Sequence, residues 1–157
     1  MQEKTKAEEA EEMIKIRPME ENDFAAGVEL VAQFNDESLA SYGTVLELDR
    51  LNEIFNMCRA TSFVAVKDEK VVGVLAGRMV KDFCSNLPAY EEMMWFMDKD
   101  HRRYGIKLLR HAQTWCKIHG IKRMTLCCMH NGKTETLFKL YERLGYEPME
   151  TRFMKQL

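Results

Sequence analysis

The stretch that decides the fold follows residue 97 and reads Asp98-Lys99-Asp100-His101-Arg102-Arg103-Tyr104-Gly105-Ile106-Lys107-Leu108-Leu109. It comes directly after Tyr90–Met97, whose last five residues are all apolar. A strand that is apolar on both faces is typical of a central position in a sheet, covered on both sides. Apolar residues then recur at helical spacing up to Gly120, which stands where a left-handed helix cap is expected. The sequence therefore predicts a buried strand, a polar turn and a long amphipathic helix.

The turn into this helix combines positive charge with a glycine, at Arg102, Arg103, Gly105 and Lys107. A helix N-terminus presents unpaired N–H groups and a partial positive charge, so it can bind a diphosphate. Gly105 would let the backbone approach a phosphate closely, and the two arginines could add charge-assisted hydrogen bonds. The alternative is an ordinary solvated helix start that binds no ligand.

The rest of the chain alternates strand and helix patterns around this element. Upstream, the patterns predict a strand at Met13–Arg17, helices around Phe24–Phe34 and Leu46–Phe55, and a hairpin of Ser62–Val66 with Val71–Gly77. Downstream, they predict a strand at Ile121–Cys128, a helix at Glu135–Leu144 with Thr134 as its N-cap, and a last strand at Tyr146–Phe153. This order predicts an α/β or α+β fold, with a mixed sheet and helices on both faces.

Length and charge narrow the classes of function. A chain of 157 residues is one ordinary domain, here expected over residues 12–157 behind a flexible tail at residues 1–11. The net charge is −2 without a long basic run, which argues against nucleic-acid binding through a broad cationic surface. No apolar stretch approaches the ~20 residues needed to cross a bilayer. The N-terminus is acidic rather than signal-like, so a cytoplasmic location is expected.

The five cysteines do not predict a disulfide framework or a metal site, because their number is odd and no C-x-x-C occurs. We interpret them as reduced, buried thiols. The alternative is a catalytic cysteine at Cys127 or Cys128 served by His130 as a base, which sequence proximity alone supports.

A second motif, Leu140-Tyr141-Glu142-Arg143-Leu144-Gly145-Tyr146, ends the last predicted helix. Together the two motifs resemble the GNAT acetyltransferase superfamily. Its coenzyme A loop has Arg or Gln, two residues, Gly, one residue, then Gly or Ala, and its later motif reads Leu-Tyr-Glu-Lys-Leu-Gly-Phe. Arg102 and Gly105 match that loop, whereas Lys107 replaces the usual small residue. The Gly-Ile-Lys-Leu-Leu form is similar to some bacteriophage-encoded members.

The resemblance implies a fold and a reaction. The fold is a mostly antiparallel central sheet with helices on both faces. The enzyme is an acyl-CoA-dependent N-acyltransferase that moves an acetyl group from acetyl-coenzyme A to a primary amine by direct attack in a ternary complex. The amine would be a small molecule, a peptide N-terminus or a lysine. In the family, two central strands part around the pantetheine, here Tyr90–Met97 and Ile121–Cys128. No metal is implied, and pairing of two copies is a further implication.

The resemblance also assigns site residues by position. Tyr141 would protonate the departing coenzyme A thiolate, and a backbone N–H near Met97 would polarise the thioester. Thr134 stands where the family often has Asn near the cofactor. The coenzyme would contact Met97, Arg102, Arg103, Tyr104, Gly105, Ile106, Lys107, Thr134 and Tyr141.

The base that takes the proton from the incoming amine remains open among Glu91, Glu92 and His130. Glu91 and Glu92 lie at the entry to the central strand, and alternation puts them on opposite faces, so at most one would serve. The alternatives are a solvated strand end and an ordinary loop histidine. The order of preference for catalytic residues is Tyr141, Glu92 and then His130.

Two other functions fit the same sequence. A catalytically silent protein with this fold, acting in binding or structure, is favoured by Lys107 and Thr134 in place of the usual residues. An acyltransferase for longer acyl groups could line a pliant pocket with some of the 12 methionines. The acceptor cannot be read from the sequence. Loops 36–44 and 81–88 would frame its entry, and Asp36, Glu37 and Asp82 would attract a cationic amine.

Overall fold

The computed structural model describes residues 14–157. The predicted tail and the first residue of the first predicted strand, Met13, lie outside the described residues. The described residues form two compact units, 14–127 and 128–157. A single domain over residues 12–157 therefore stays a prediction.

The first unit contains five strands and three helices. In chain order they are β1 (Ile14–Pro18), α1 (Phe24–Phe34), α2 (Leu48–Cys58), β2 (Phe63–Lys67), β3 (Lys70–Lys81), β4 (Pro88–Met97), α3 (Gly105–Ile118) and β5 (Arg123–Thr125). A π-helical turn, Asn35–Leu39, directly continues α1, and a 3-10 turn, Arg102–Tyr104, precedes α3. The second unit carries α4 (Thr134–Arg143).

The five strands form one sheet in the order β1-β2-β3-β4-β5. The first three pairings are antiparallel, and only β4 with β5 is parallel. A parallel pair needs a crossover connection, and α3 supplies it. The expected mixed, mostly antiparallel sheet is confirmed.

Adjacent strand residues point to opposite faces of the sheet, and helices cover both. On one face, Val64 and Val74 pack in a buried cluster with Leu30 of α1 and Phe55 of α2. On the other face, the Phe63 ring meets two rings of α3, those of His111 at 5.1 Å and Trp115 at 5.7 Å between centroids. Helices on both faces of the sheet are thus confirmed.

A close contact between β3 and β4 fixes the register near the site. Tyr90 of β4 is completely buried, and its hydroxyl donates to the carbonyl oxygen of Thr61 at 2.7 Å. Its ring lies so close to Gly77 of β3 that a Cβ atom there would come within 2.3 Å of ring atoms. Only glycine fits opposite this ring.

Two predicted strands are corrected. Ile121–Cys128 was expected as a full strand, but only Arg123–Thr125 pairs with β4. Tyr146–Phe153 was expected as the last strand and is wrong, since the described residues after Arg143 contain no strand. Alternation predicts a strand only where a ladder partner exists, and Pro148 also removes one donor. The predicted left-handed cap at Gly120 is confirmed, with φ of 70°.

The cysteine prediction needs one correction. Cys58 and Cys116 are buried and all five thiols are free, but Cys84 and Cys127 are exposed. Burial raises the pKa of the Cys116 thiol to about 11, which keeps that group protonated at neutral pH.

Candidate active site

The sheet opens between β4 and β5. The parallel ladder has three pairs, Ala89 with Arg123, Tyr90 with Met124, and Glu91 with Thr125. Strand β4 then runs on to Met97 beside β3, without further pairing to β5. The opening therefore begins at Glu92 and extends to the end of β4, where the loop to α3 begins.

A bulge in β4 lies at the start of this opening. The register with β3 passes from Gly77–Glu92 to Ala76–Met94, so Met93 is an extra residue. Tyr90 packs toward α3, with its ring 6.4 Å from that of Trp115, whereas Met94 belongs to the cluster on the other face. A bulge reverses the alternation in this way and re-aims nearby side chains.

Glu92 is a buried carboxylate at the point where the ladder stops. Its residue is only 6% exposed, and its Oε2 accepts the backbone N–H of Cys127 at 2.7 Å. The Glu92 side chain thus accepts a backbone N–H that would have been available to β4 if the ladder between β4 and β5 had continued. Burial raises the pKa of Glu92 to about 7, and the hydrogen bond from Cys127 offsets part of this effect. A carboxylate with such a pKa can accept a proton near neutral pH.

Glu91, the neighbouring carboxylate, has a different environment. Nη2 and Nε of Arg78 in β3 donate to its Oε2 at 2.9 and 3.1 Å, and both side chains are partly exposed. Glu91 and Glu92 therefore lie in different environments, as expected for adjacent strand residues whose side chains point to opposite faces.

At the end of β4, one backbone N–H group points toward the opening. The amide of Asp98 donates to the carbonyl oxygen of Val72 at 2.9 Å, so it faces β3. Successive residues of an antiparallel strand turn their N–H groups to alternate sides. The N–H of Met97 therefore points away from β3, toward the side on which β5 lies.

The turn into α3 is internally bonded. His101 lies 2.5 Å from Asp98 through Nδ1, and its backbone N–H donates to the Asp98 carbonyl. The N–H groups of Tyr104 and Gly105 donate to the carbonyls of His101 and Arg102. Tyr104 is buried, and its hydroxyl accepts a hydrogen bond from Arg103 at 2.8 Å. This turn is held by the Asp98–His101 pair, an i, i+3 spacing that was visible in the sequence without being singled out.

Arg102 makes a contact that the sequence did not predict. Its Nη2 lies 2.6 Å from both carboxylate oxygens of Glu37, in the π-helical turn after α1. Asp82 is also engaged, since it pairs with Arg123 and accepts the N–H of Cys84 at 3.1 Å. Two of the three acids expected to attract an amine are therefore in ion pairs.

Three residues expected to contact the coenzyme lie in the first turn of α3, and their side-chain positions face different ways. They are Gly105, Ile106 and Lys107. Gly105 has a helical φ of −56°, and a Cβ there would touch Trp95 at 3.4 Å and Met97 at 3.5 Å. These are ordinary van der Waals distances, so α3 packs against β4 at a spacing that would also accommodate alanine. Ile106 is half-buried, and Lys107 lines an open groove with Ile16 of β1. Because β1 and β5 are opposite edges of the sheet, Lys107 lies on the side of α3 away from the opening.

The second unit contains the other three candidate site residues, His130, Thr134 and Tyr141. The hydroxyl of Thr134 lies 2.6 Å from the carbonyl oxygen of Asn131 and accepts the backbone N–H of Asn131 at 2.8 Å. Thr134 is the first residue of α4 rather than its N-cap, which is Lys133, so that prediction shifts by one residue. His130 is exposed in the loop before the helix.

Tyr141 lies in the last turn of α4, within a Schellman motif. The N–H of Tyr146 donates to the Tyr141 carbonyl at 2.9 Å, that of Gly145 donates to Glu142 at 3.0 Å, and Gly145 has φ of 84°. The rings of Tyr141 and Tyr146 are 6.0 Å apart, the side-chain contact that accompanies such a cap. The motif around Tyr141 therefore has a structural role of its own.

Within residues 14–157, no group of His, Cys, Asp and Glu side chains is placed to hold a metal ion. None of the helices described in that range has the length and apolar character required to cross a membrane.

Solved structures with the same fold include several acetyltransferases. An aminoglycoside acetyltransferase from an uncultured soil metagenomic sample, in complex with trehalose, is 19% identical, with a TM-score of 0.70 over 93% of this chain and 97% of that one. A ribosomal-protein-alanine N-acetyltransferase from Brucella melitensis biovar Abortus 2308 is 15% identical, with a TM-score of 0.73 over 92% and 99%. Glucosamine-6-phosphate N-acetyltransferase from Arabidopsis thaliana is 20% identical, with a TM-score of 0.66 over 91% and 97%. At sequence identities of 15–20%, this structural similarity establishes that the fold is shared.

Comparison with curated protein sequences gives no significant match. The model of the acetyltransferase (GNAT) family matches residues 27–146, which is well over half of the chain and includes both motifs. The chain belongs to the acetyltransferase (GNAT) family.

Proposed function

We propose that this protein transfers the acetyl group of acetyl-coenzyme A to a primary amine in a ternary complex. The observation that carries the proposal is Glu92, buried at the opening between β4 and β5 with a pKa of about 7. A group with this pKa, beside the strand gap in a family that uses acetyl-coenzyme A, suits a general base. The three solved structures are named as acetyltransferases for an aminoglycoside, ribosomal-protein alanine and glucosamine 6-phosphate, which supports the reaction class without naming the acceptor.

Each proposed step uses one group of the chain. Glu92 takes a proton from the ammonium, directly or through water, and the neutral amine then attacks the thioester carbonyl carbon. The N–H of Met97 stabilises the developing oxyanion. As the C–N bond forms, the C–S bond breaks, and the thiolate accepts a proton from Tyr141. The second proton lost by the amine nitrogen then returns to the tyrosinate, directly or through water. His130 is the second candidate for the base, although it is exposed.

Donor binding is tested first by thermal stability. A ligand that binds only the folded state stabilises it by about 2.7 kcal/mol at 100 times its Kd. Acetyl-coenzyme A should therefore raise Tm by several degrees, whereas acetate at the same concentration should not. Release of free thiol with a panel of aminoglycosides, amino sugars and peptides would then identify the acceptor. No Tm shift at millimolar acetyl-coenzyme A would exclude the proposal.

The acid role of Tyr141 has its own test. Tyr141→Phe keeps the ring that packs on Tyr146 but removes the acidic hydroxyl. We expect kcat to fall roughly 100-fold, at the low end for general acid catalysis, with little change in the Kd for acetyl-coenzyme A. Tyr146→Phe is the matched control and should keep kcat within a fewfold of wild type. Equal kcat values for the two variants would leave Tyr141 with the capping role alone.

A further inference from the structure

Arg102 is held by a carboxylate from a distant part of the chain. Both oxygens of Glu37 lie 2.6 Å from a single nitrogen, Nη2 of Arg102, and the two residues are 65 positions apart. The strongest carboxylate pairs of arginine use two nitrogens in parallel, and this pair uses one. The side chains are 42% and 33% exposed, so water can replace either partner at low cost.

The segment that carries Glu37 has an unusual conformation. Asn35–Leu39 forms a π-helical turn, a rare form that is frequently found at functional sites. Asn35 is buried at its first position, and the Oδ1 of this side chain accepts no hydrogen bond from any residue within 14–157. A buried oxygen without a donor destabilises the conformation that holds it. The segment therefore gains from a rearrangement that satisfies Asn35.

We propose that the carboxylate of Glu37 occupies the position of a coenzyme phosphate on Arg102, so that binding of the diphosphate displaces Glu37 and releases the turn Asn35–Leu39. This inference rests on the proposed function, because it takes acetyl-coenzyme A as the ligand. A diphosphate carries more charge than a carboxylate and can engage the remaining guanidinium nitrogens of Arg102. It therefore displaces the Glu37 carboxylate from Arg102. Glu37 thereby lowers the affinity for the donor and couples the donor site to the segment 35–42.

The test compares donor affinity in Glu37→Gln with that in Asp36→Asn. Both variants remove one negative charge from the same turn, but Asp36 lies outside the pair with Arg102. Isothermal titration with acetyl-coenzyme A should give a Kd for Glu37→Gln roughly threefold to fivefold below that of wild type, as expected for loss of a competing surface ion pair. Asp36→Asn should stay within twofold of wild type. In an Arg102→Ala background, the gain from Glu37→Gln should disappear.

Two further readouts locate the effect. Acetylpantetheine lacks the diphosphate, so Glu37→Gln should leave its KM unchanged. Amide hydrogen exchange in residues 35–42 should rise in wild type when acetyl-coenzyme A binds, and it should already be high in unliganded Glu37→Gln.

The outcomes separate the two proposals. If wild type binds acetyl-coenzyme A but Glu37→Gln binds it no tighter than Asp36→Asn does, only the competition by Glu37 is overturned. A weaker affinity in Glu37→Gln would likewise overturn it and would show that the pair supports the bound state. If neither wild type nor Glu37→Gln binds the donor, the proposed function fails and the inference fails with it.

Discussion

Replacing Glu92 by Gln should abolish most of the acetyl transfer while leaving the fold intact. Loss of a general base typically costs a factor of about 10² to 10⁴ in rate. The wild-type kcat/KM should rise with pH through a pKa near 7, as the buried carboxyl ionises, and Glu92→Gln should lose this limb of the profile. Steady-state thiol release between pH 5.5 and 9, with an amine from the panel, measures both effects.

Glu92→Gln should also affect stability, and in the opposite direction: the variant loses activity but should not lose stability. Because the pKa of Glu92 is raised from 4.5 to about 7 in the folded state, its ionisation opposes folding. The penalty is absent below pH 4.5, grows between the two values and is complete above pH 7, where it is of order 3 kcal/mol. The amide oxygen of Gln can still accept the N–H of Cys127 without any charge. The variant should therefore melt at or above the wild-type Tm at pH 8, and equally with it at pH 4.

Glu91→Gln is the matched control for this prediction. It makes the same chemical change one residue away, at an exposed carboxylate paired with Arg78. We expect its kcat/KM to stay within about threefold of wild type, since a surface ion pair contributes little. If Glu92→Gln keeps more than a tenth of wild-type kcat/KM, Glu92 is not the base, and His130→Gln becomes the next variant to measure.

Replacing Gly77 by Ala should cause a large loss of stability. The new methyl group would lie 2.3 Å from the ring of Tyr90, which is completely buried and tied to Thr61. Neither the ring nor strand β3 can move without breaking the ladder beside the bulge, so overpacking should cost about 3 kcal/mol. For a chain of this size, this corresponds to a fall in Tm of roughly 10 °C. Calorimetry or circular dichroism would measure it.

Gly27→Ala in α1 serves as the control for Gly77→Ala. A Cβ atom at Gly27 meets nothing within 4 Å, and the position is an ordinary helical one. Alanine in a helix interior is more stable than glycine by roughly 0.5–1 kcal/mol, so Tm should rise slightly. If Gly77→Ala also melts within about 2 °C of wild type, the close approach between β3 and the Tyr90 ring does not hold in solution.

Local patterns predicted most of the elements because each depends on neighbours in sequence. The apolar run Met93–Met97 predicted a covered central strand, and Gly120 and Gly145 predicted helix ends that have positive φ in the structure. The same reasoning failed for Tyr146–Phe153, where alternation is present but no ladder partner forms. A helix bonds within its own segment, whereas a strand depends on a partner that the local pattern does not contain.

The sequence by itself determined the order of elements as far as α4, which follows from local periodicity, and the two motifs that carry the family resemblance. Only the tertiary structure decided which of two adjacent glutamates is buried, because a bulge at Met93 and the N–H of Cys127 define the environment of Glu92. It also decided that Arg102 meets Glu37, a contact between residues 65 positions apart. Burial and pairing depend on what the fold brings together, so the pKa of Glu92 and the partner of Arg102 could not be read from neighbouring residues.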